Sequence, residues 1–247
     1  MTIHCLVIDV GNSSIKWAVA DVTKPLSLDS VYRCERTAQA LLDDLRRNAV
    51  DLLPVWMSSV AGSAFDRELI EALQREGWQH VVAEPAAAVE LGLVNSYAVA
   101  ETMGVDRWLA MLAARYQRES ALLVVDVGTA LTIDVVAADG RHEGGYILPG
   151  VQLMERALTR DTQRVRFSDG AHQSLAPGQS TAQCVTSGVW LAAVGAVRLA
   201  MSNHPVHELV LAGGGADALM NLGLSGEFRP NLVLEGLVIR ALVALEA

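Results

Sequence analysis

The sequence predicts an α/β fold of two similar domains with a cleft between them. Three observations lead there. The chain has 247 residues, 51% apolar and 19% charged, enough for two modest cores and too apolar for a disordered segment. Short β-branched strands alternate with segments of helical period. One strand–turn–strand pattern occurs twice, displaced by nearly half the chain. The expected division is 1–117 and 118–247, each with its own copy of the pattern.

The first copy opens the chain. His4 to Asp9 is an apolar strand, Gly11-Asn12-Ser13-Ser14 a turn, and Ile15 to Val19 a second strand. Helical spacing follows in Ala38–Arg47 and Ala64–Glu76, with strands expected at Leu53–Val60 and Val81–Ala83. After a loop at Asn95-Ser96-Tyr97, apolar residues Trp108, Leu109, Met111 and Leu112 mark a helix reaching about Tyr116.

The second copy is Ala121–Val125, the turn Asp126-Val127-Gly128-Thr129, and Ala130–Val136. Asp139-Gly140 is a tight-turn signal, and a further strand leads to Pro149-Gly150. Helices are expected at Val151–Thr159 and Thr181–Met201, a strand at Glu208–Ala212 and a turn at Gly213-Gly214-Gly215. A strand-like stretch Asn231–Leu234 then precedes an apolar helix to the end.

The repeated pattern carries chemistry. Glycine lets backbone approach a phosphate and point N–H groups at its oxygens, while Ser13, Ser14 and Thr129 add hydroxyl donors. Asp9 and Asp126, at strand ends, offer hard carboxylate oxygens for Mg²⁺ or another cation, and Lys16 adds a point charge. A single Asp-x-Gly turn is also an ordinary hairpin turn. Its repetition inside matching strands favours phosphate binding across a shared cleft.

Composition excludes other classes. A net charge of −9 repels a nucleic-acid backbone and an anionic membrane surface. The arginine-rich run Arg156–Arg166 reads as a solvated segment. The amino terminus lacks the basic flank and cleavage site of a secretory signal. The most apolar stretch, Val189–Met201, is interrupted by Arg198 and reads as a buried helix. Cys5, Cys34 and Cys184 have neither disulfide nor zinc spacing, which suits a reducing cytoplasm. His204 and His207 lie three apart in a loop marked by Asn203 and Pro205, where no carboxylate or thiol completes a metal site, and read as surface residues. Gly213-x-Gly215-x-x-Ala218 after a strand, with Glu235 further on, has the form of a dinucleotide fingerprint, but too little chain follows to complete such a sheet.

Asp9-Val10-Gly11-Asn12-Ser13-Ser14-Ile15-Lys16, Gly104-Val105-Asp106-Arg107-Trp108, Asp126-Val127-Gly128-Thr129-Ala130 and Gly144-Gly145-Tyr146-Ile147-Leu148-Pro149-Gly150 resemble, in order and spacing, the signatures of type III pantothenate kinases, the Bvg accessory factor family. The likeness runs nearly end to end. It implies two RNase H-like domains of the actin-like ATPase superfamily and ATP-dependent phosphorylation of pantothenate, the first step toward coenzyme A. It also implies a cytoplasmic homodimer, Mg²⁺ and a monovalent cation, K⁺ or NH₄⁺. Asp106 resembles the family's catalytic base, and Tyr97, Gly104, Val105, Arg107 and Thr181 its pantothenate contacts. Asp126 resembles the monovalent-cation ligand, and Asp9, Gly11, Asn12, Ser13, Lys16, Gly128 and Thr129 the ATP-phosphate contacts. Gly213-Gly214 is followed here by Gly215, where the family often has an acidic or amide residue, which leaves the adenosine side open.

The residues alone leave alternatives beside these roles. Asp106 suits a helix N-cap as well as a base. Arg107 suits a surface ion pair as well as a substrate clamp. A nucleotide-binding regulator on the same fold, without phosphoryl transfer, and a kinase of another small metabolite remain the rival functions.

Overall fold

The computed structural model describes residues 3–78, 81–83, 85–160 and 173–246. The chain forms two units, Met1–Tyr116 with Asn231–Ala247, and Gln117–Pro230.

In the first unit, β1 (His4–Val10), β2 (Ser14–Asp21) and β3 (Tyr32–Glu35) form an antiparallel meander. After α1 (Ala38–Arg47) comes β4 (Val55–Ser59), parallel to β1, and after α2 (Ser63–Arg75) comes β5 (Val81–Ala83), parallel to β4. The sheet order is β3-β2-β1-β4-β5. Strand β1 is central and buried on both faces, hence its run of apolar residues rather than an alternation. The helix α1 begins at Thr37, whose side chain accepts from Ala40 N, and it buries Leu41, Leu42 and Leu45 on the sheet. Trp17 Nε1 donates to Asp44 Oδ2 at 2.9 Å, joining β2 to α1.

The unit continues with the small hairpin β6 (Val89–Glu90) and β7 (Leu93–Val94), a 3₁₀ turn at Ala100–Thr102, and α3 (Val105–Arg115). In the second unit, β8 (Leu122–Val127), β9 (Ala130–Val136) and β10 (His142–Pro149) form the second meander. The helices α4 (Val151–Arg160) and α5 (Thr181–Asn203) follow, then β11 (Glu208–Ala212), α6 (Ala216–Asn221) and β12 (Glu227–Phe228). The sheet order β10-β9-β8-β11-β12, with β11 and β12 parallel to β8 and to each other, repeats that of the first unit. The internal echo is therefore a repeated sheet.

The last element, α7 (Leu232–Glu246), belongs to the first unit. Two expectations are corrected here. Asn231–Leu234 opens this helix and is not a strand: its apolar run reflects burial all round rather than strand geometry. The second unit also ends at Pro230, so the 118–247 domain loses its last seventeen residues to the first. The helix packs on α3 so closely that a Cβ at Gly236 would lie 2.5 Å from Leu109 O.

A third correction concerns Val189–Met201. It is not buried throughout: Val189, Trp190, Ala193, Val194 and Val197 face the core, while Leu191 and Leu199 are 58% and 63% exposed. By length and composition α5 could cross a membrane, yet its packed face supplies much of the second unit's core. The arginine-rich run falls mostly outside the described residues.

Candidate functional site

On the first unit, the turn Gly11-Asn12-Ser13 links β1 to β2, closed by Gly11 N donating to Ser14 O at 3.1 Å. Asn12 and Ser13 are exposed and Asp9 is half-buried. In register, Asp9 lies opposite Lys16 on β2 and beside Ser58 on β4. Cross-strand partners project from the same face, so carboxylate and ammonium share one side of the sheet. The fully buried Ser58 donates from Oγ to Asp9 Oδ1 at 3.0 Å, fixing the carboxylate's orientation. Ser58 was not singled out from sequence. Its one signal is a hydroxyl inside an apolar strand.

Four of the predicted substrate residues, Tyr97, Gly104, Val105 and Arg107, lie on the same unit. Arg107 is buried at 6% exposure, and its Nη1 donates to Tyr97 Oη at 2.9 Å, with its guanidinium 5.8 Å from the Tyr97 ring. Arg107 is therefore a buried residue rather than a surface one. Asn95 shapes the loop carrying Tyr97: its Oδ1 accepts from Tyr97 N at 2.9 Å and its Nδ2 donates to Ala87 O at 3.1 Å.

Asp106 is not the helix N-cap. Gly104 holds that position, and Asp106 sits one residue inside α3, its Oδ1 accepting from Arg107 N at 2.8 Å. One carboxylate oxygen therefore satisfies a first-turn N–H of the helix. A Cβ on residue 104 would lie 2.6 Å from Asp106 Oδ1, so glycine there gives the carboxylate room. Val105 is buried and anchors the turn from below.

Behind this cluster lies a polar bracket that sequence did not reveal. Arg240 of α7 donates from Nε and Nη2 to Glu90 at 2.9 and 2.8 Å and from Nη1 to Pro85 O at 2.9 Å. Trp108 Nε1 donates to the same carboxylate at 2.7 Å. Glu90 thereby ties the β6–β7 hairpin to both α3 and α7. Nothing local in sequence pairs residues so far apart.

On the second unit, Gly128 and Thr129 are exposed in a turn one residue shorter than the first, with Gly128 N donating to Ala130 O at 2.9 Å. Asp126 is half-buried between Thr132 and Ala212. Gly213, at φ +81°, passes so close that a Cβ would lie 2.6 Å from Asp126 Oδ1 and 2.7 Å from Val127 N. Gly150 N donates to Thr129 O at 2.9 Å and Gly215 N to Val127 O at 3.0 Å. The glycines at 150, 213 and 215 thus converge on the Asp126 turn. The apparent dinucleotide fingerprint is replaced by this packing role, and α6 behind it has only six residues.

Thr181 begins α5, after Ser180, whose Oγ caps Gln183 N at 3.3 Å. It is exposed at one end of an apolar groove of about 640 Å³ between α4 and α5, lined among others by Leu153, Leu158 and Val185. Thr181 belongs to the second unit, and Tyr97, Gly104, Asp106 and Arg107 to the first.

On each unit taken by itself, a carboxylate beside a glycine and hydroxyl turn offers the oxygen and N–H groups that a cation and a phosphate take. Solved structures share this fold. The chain aligns over 99% of its length, at TM-score 0.55 and 9% identity, with an activator of 2-hydroxyisocaproyl-CoA dehydratase from Clostridium difficile with bound ADPNP. It also aligns at TM-score 0.62 and 21% identity, covering 98% of both chains, with a conserved putative Baf family transcriptional activator from Campylobacter jejuni. These likenesses establish the fold. The pattern that defines type III pantothenate kinases matches residues 5–203. Type III pantothenate kinases of Marinobacter nauticus and Halorhodospira halophila are 37% and 38% identical, each aligned over 94% of this chain and 96% of their own. The chain belongs to the type III pantothenate kinase family.

Proposed function

We propose that this protein transfers the γ-phosphoryl group of ATP to the primary hydroxyl of pantothenate, giving 4′-phosphopantothenate and ADP and opening the route to coenzyme A. The observation that carries the reading is the cluster of Tyr97, Gly104, Asp106 and Arg107 on a chain of this family. Arg107, buried yet aimed at the Tyr97 hydroxyl, suits a polar or carboxylate end of the substrate. Asp106 accepts the hydroxyl proton as that oxygen attacks phosphorus, and the bond from phosphorus to the β–γ bridging oxygen breaks toward ADP. The turns at Gly11–Ser13 and Gly128–Thr129 offer N–H and hydroxyl donors to the phosphates, and Lys16 adds positive charge. Mg²⁺ and a monovalent cation, K⁺ or NH₄⁺, would be held at Asp9 and Asp126 respectively, where they would neutralise phosphate charge. Val105 and Thr181 complete the proposed substrate contacts.

This reading requires two RNase H-like halves to meet around one nucleotide. It also includes a cytoplasmic homodimer without nucleic-acid or membrane partners; the net charge of −9 supports the absence of anionic partners, and the small and apolar residues on the exposed side of α5 support the dimer. The test is direct: purified protein with ATP, Mg²⁺ and labelled pantothenate, with and without K⁺. Labelled phosphopantothenate is expected, with more in K⁺. A folded protein that makes none rejects the proposal in favour of a regulatory nucleotide-binding role.

A further inference from the structure

His204 and His207 meet, through the fold, a carboxylate distant in sequence, that of Glu143. His204 is the C-cap of α5, and His207 N donates to His204 O at 3.1 Å, so a short turn around Pro205 presents both rings from one place. The rings meet edge to face, centroids 5.0 Å apart. Both ring nitrogens of His207 are shielded from solvent and have no hydrogen-bond partner. Buried polar atoms are ordinarily satisfied, so such an orphan points to a missing ligand.

The third group comes from β10. Between His142, which pairs with Val136, and Gly144, which pairs with Val135, Glu143 is the extra residue of a β-bulge, and Gly144 sits at φ +122°. A bulge re-aims a side chain. Here a carboxylate oxygen of Glu143 and one nitrogen from each histidine all lie within 4.8 Å of one another. Arg141 reaches Glu143 Oε1 only at 3.9 Å and at the surface, so a modest turn of the exposed glutamate side chain is free of a strong ion pair.

We infer that Glu143, His204 and His207 form a site for a divalent transition-metal ion, Zn²⁺ foremost, with water at the remaining position. Two imidazoles and one carboxylate suit Zn²⁺, whose bonds of about 2.0–2.2 Å place tetrahedral ligands roughly 3.4 Å apart, within reach of small rotamer adjustments. Mg²⁺ and Ca²⁺ prefer all-oxygen shells and are poor matches. The site is separate from the phosphate turn. His207 precedes Glu208, which pairs with Leu122, whereas Ala212 pairs with Asp126, so about five residues, or roughly 17 Å of strand, separate the two ends of the sheet. An ion there joins the end of α5, the entry to β11 and the bulge of β10. Its role is to brace the second unit rather than to take part in phosphoryl transfer.

The test uses the untagged full-length protein, stripped by a chelator and kept in excess Mg²⁺. Calorimetric titration with Zn²⁺ is expected to show one ion per chain and a higher Tm. Co²⁺ is expected to give visible absorption bands of a low-coordinate nitrogen–oxygen site. Glu143→Gln, at an exposed bulge that tolerates the change, and His204→Ala should each weaken Zn²⁺ binding at least tenfold, with pantothenate phosphorylation unchanged. Absence of stoichiometric Zn²⁺ binding by the unaltered protein overturns the inference, as does unaltered affinity in both variants.

Discussion

At the scale of single residues, Asp106 separates chemistry from architecture. Gly104 is the cap, and Asp106 accepts from Arg107 N a hydrogen bond that asparagine can also accept. Asp106→Asn should therefore keep its Tm within a few degrees while kcat falls by roughly 10²–10⁴, the usual contribution of a general base. Gly104→Ala, whose Cβ would press on Asp106 Oδ1 at 2.6 Å, should lower kcat in the same direction by displacing the carboxylate. Steady-state kinetics beside thermal melts checks both, and near-normal turnover in a folded Asp106→Asn protein would remove the base. Cys5 gives a prediction independent of catalysis. Burial pushes its thiol from 9.0 up to about 12. The folded chain keeps that proton where the unfolded chain releases it, so the contribution is complete below pH 9 and is lost as pH rises toward 12. Unfolding free energies should fall between those limits by about 1.4 kcal/mol per pH unit more steeply than in Cys5→Ala. Equal slopes in urea titrations would contradict the assignment. The residues of the candidate site were legible because they sit in short motifs. Ser58, Asn95 and Glu90 were not, since each acts on a partner that only folding brings near.

At the scale of elements, boundaries followed periodicity where an element is half-exposed and failed where it is buried all round. The helix α1 matches its expected limits because Leu41, Leu42 and Leu45 alternate with solvated positions at helical period. The opening of α7 was mistaken for a strand because Leu232, Val233 and Leu234 are all buried, and a short apolar run carries no period. The bracket between Arg240 and Glu90 makes that helix more than a hydrophobic cover. Glu90→Gln removes a carboxylate charge from beside a guanidinium at 6% exposure, a change expected to cost up to about 3–5 kcal/mol. Adding Arg240→Met should recover part of the loss, since an apolar side chain replaces the orphaned charge. A double-mutant cycle by chemical denaturation measures the coupling, and strictly additive losses would show that the pair does not act as a unit.

At the scale of the molecule, the repeat was visible because Asp9 and Asp126 occupy equivalent places in sheets of the same strand order. The crossing of the last helix back to the first unit was not, because no local pattern states which core an apolar helix joins. Leu232, Leu234, Leu237, Val238 and Ile239 are each at most 1% exposed in it, and at about 1.5–3 kcal/mol apiece they rival the whole stability of a typical domain. Deleting Asn231–Ala247 should therefore abolish cooperative folding of the first unit, seen as loss of soluble yield and of its melting transition; a normal melt would refute this. The exposed side of α5 supports the proposed dimer. Cys184, Gly188, Leu191, Ala192, Gly195 and Leu199 recur at helical spacing on that side, small or apolar, with the exposed Arg198 at the border of the stripe. Two copies, each carrying −9, approach most easily through such a face, and its small residues permit close helix packing. Leu191→Asp with Leu199→Asp would set four carboxylates within that contact. Sedimentation equilibrium should then show one chain where the unaltered protein shows two, and a dimer that survives both substitutions would place the interface elsewhere.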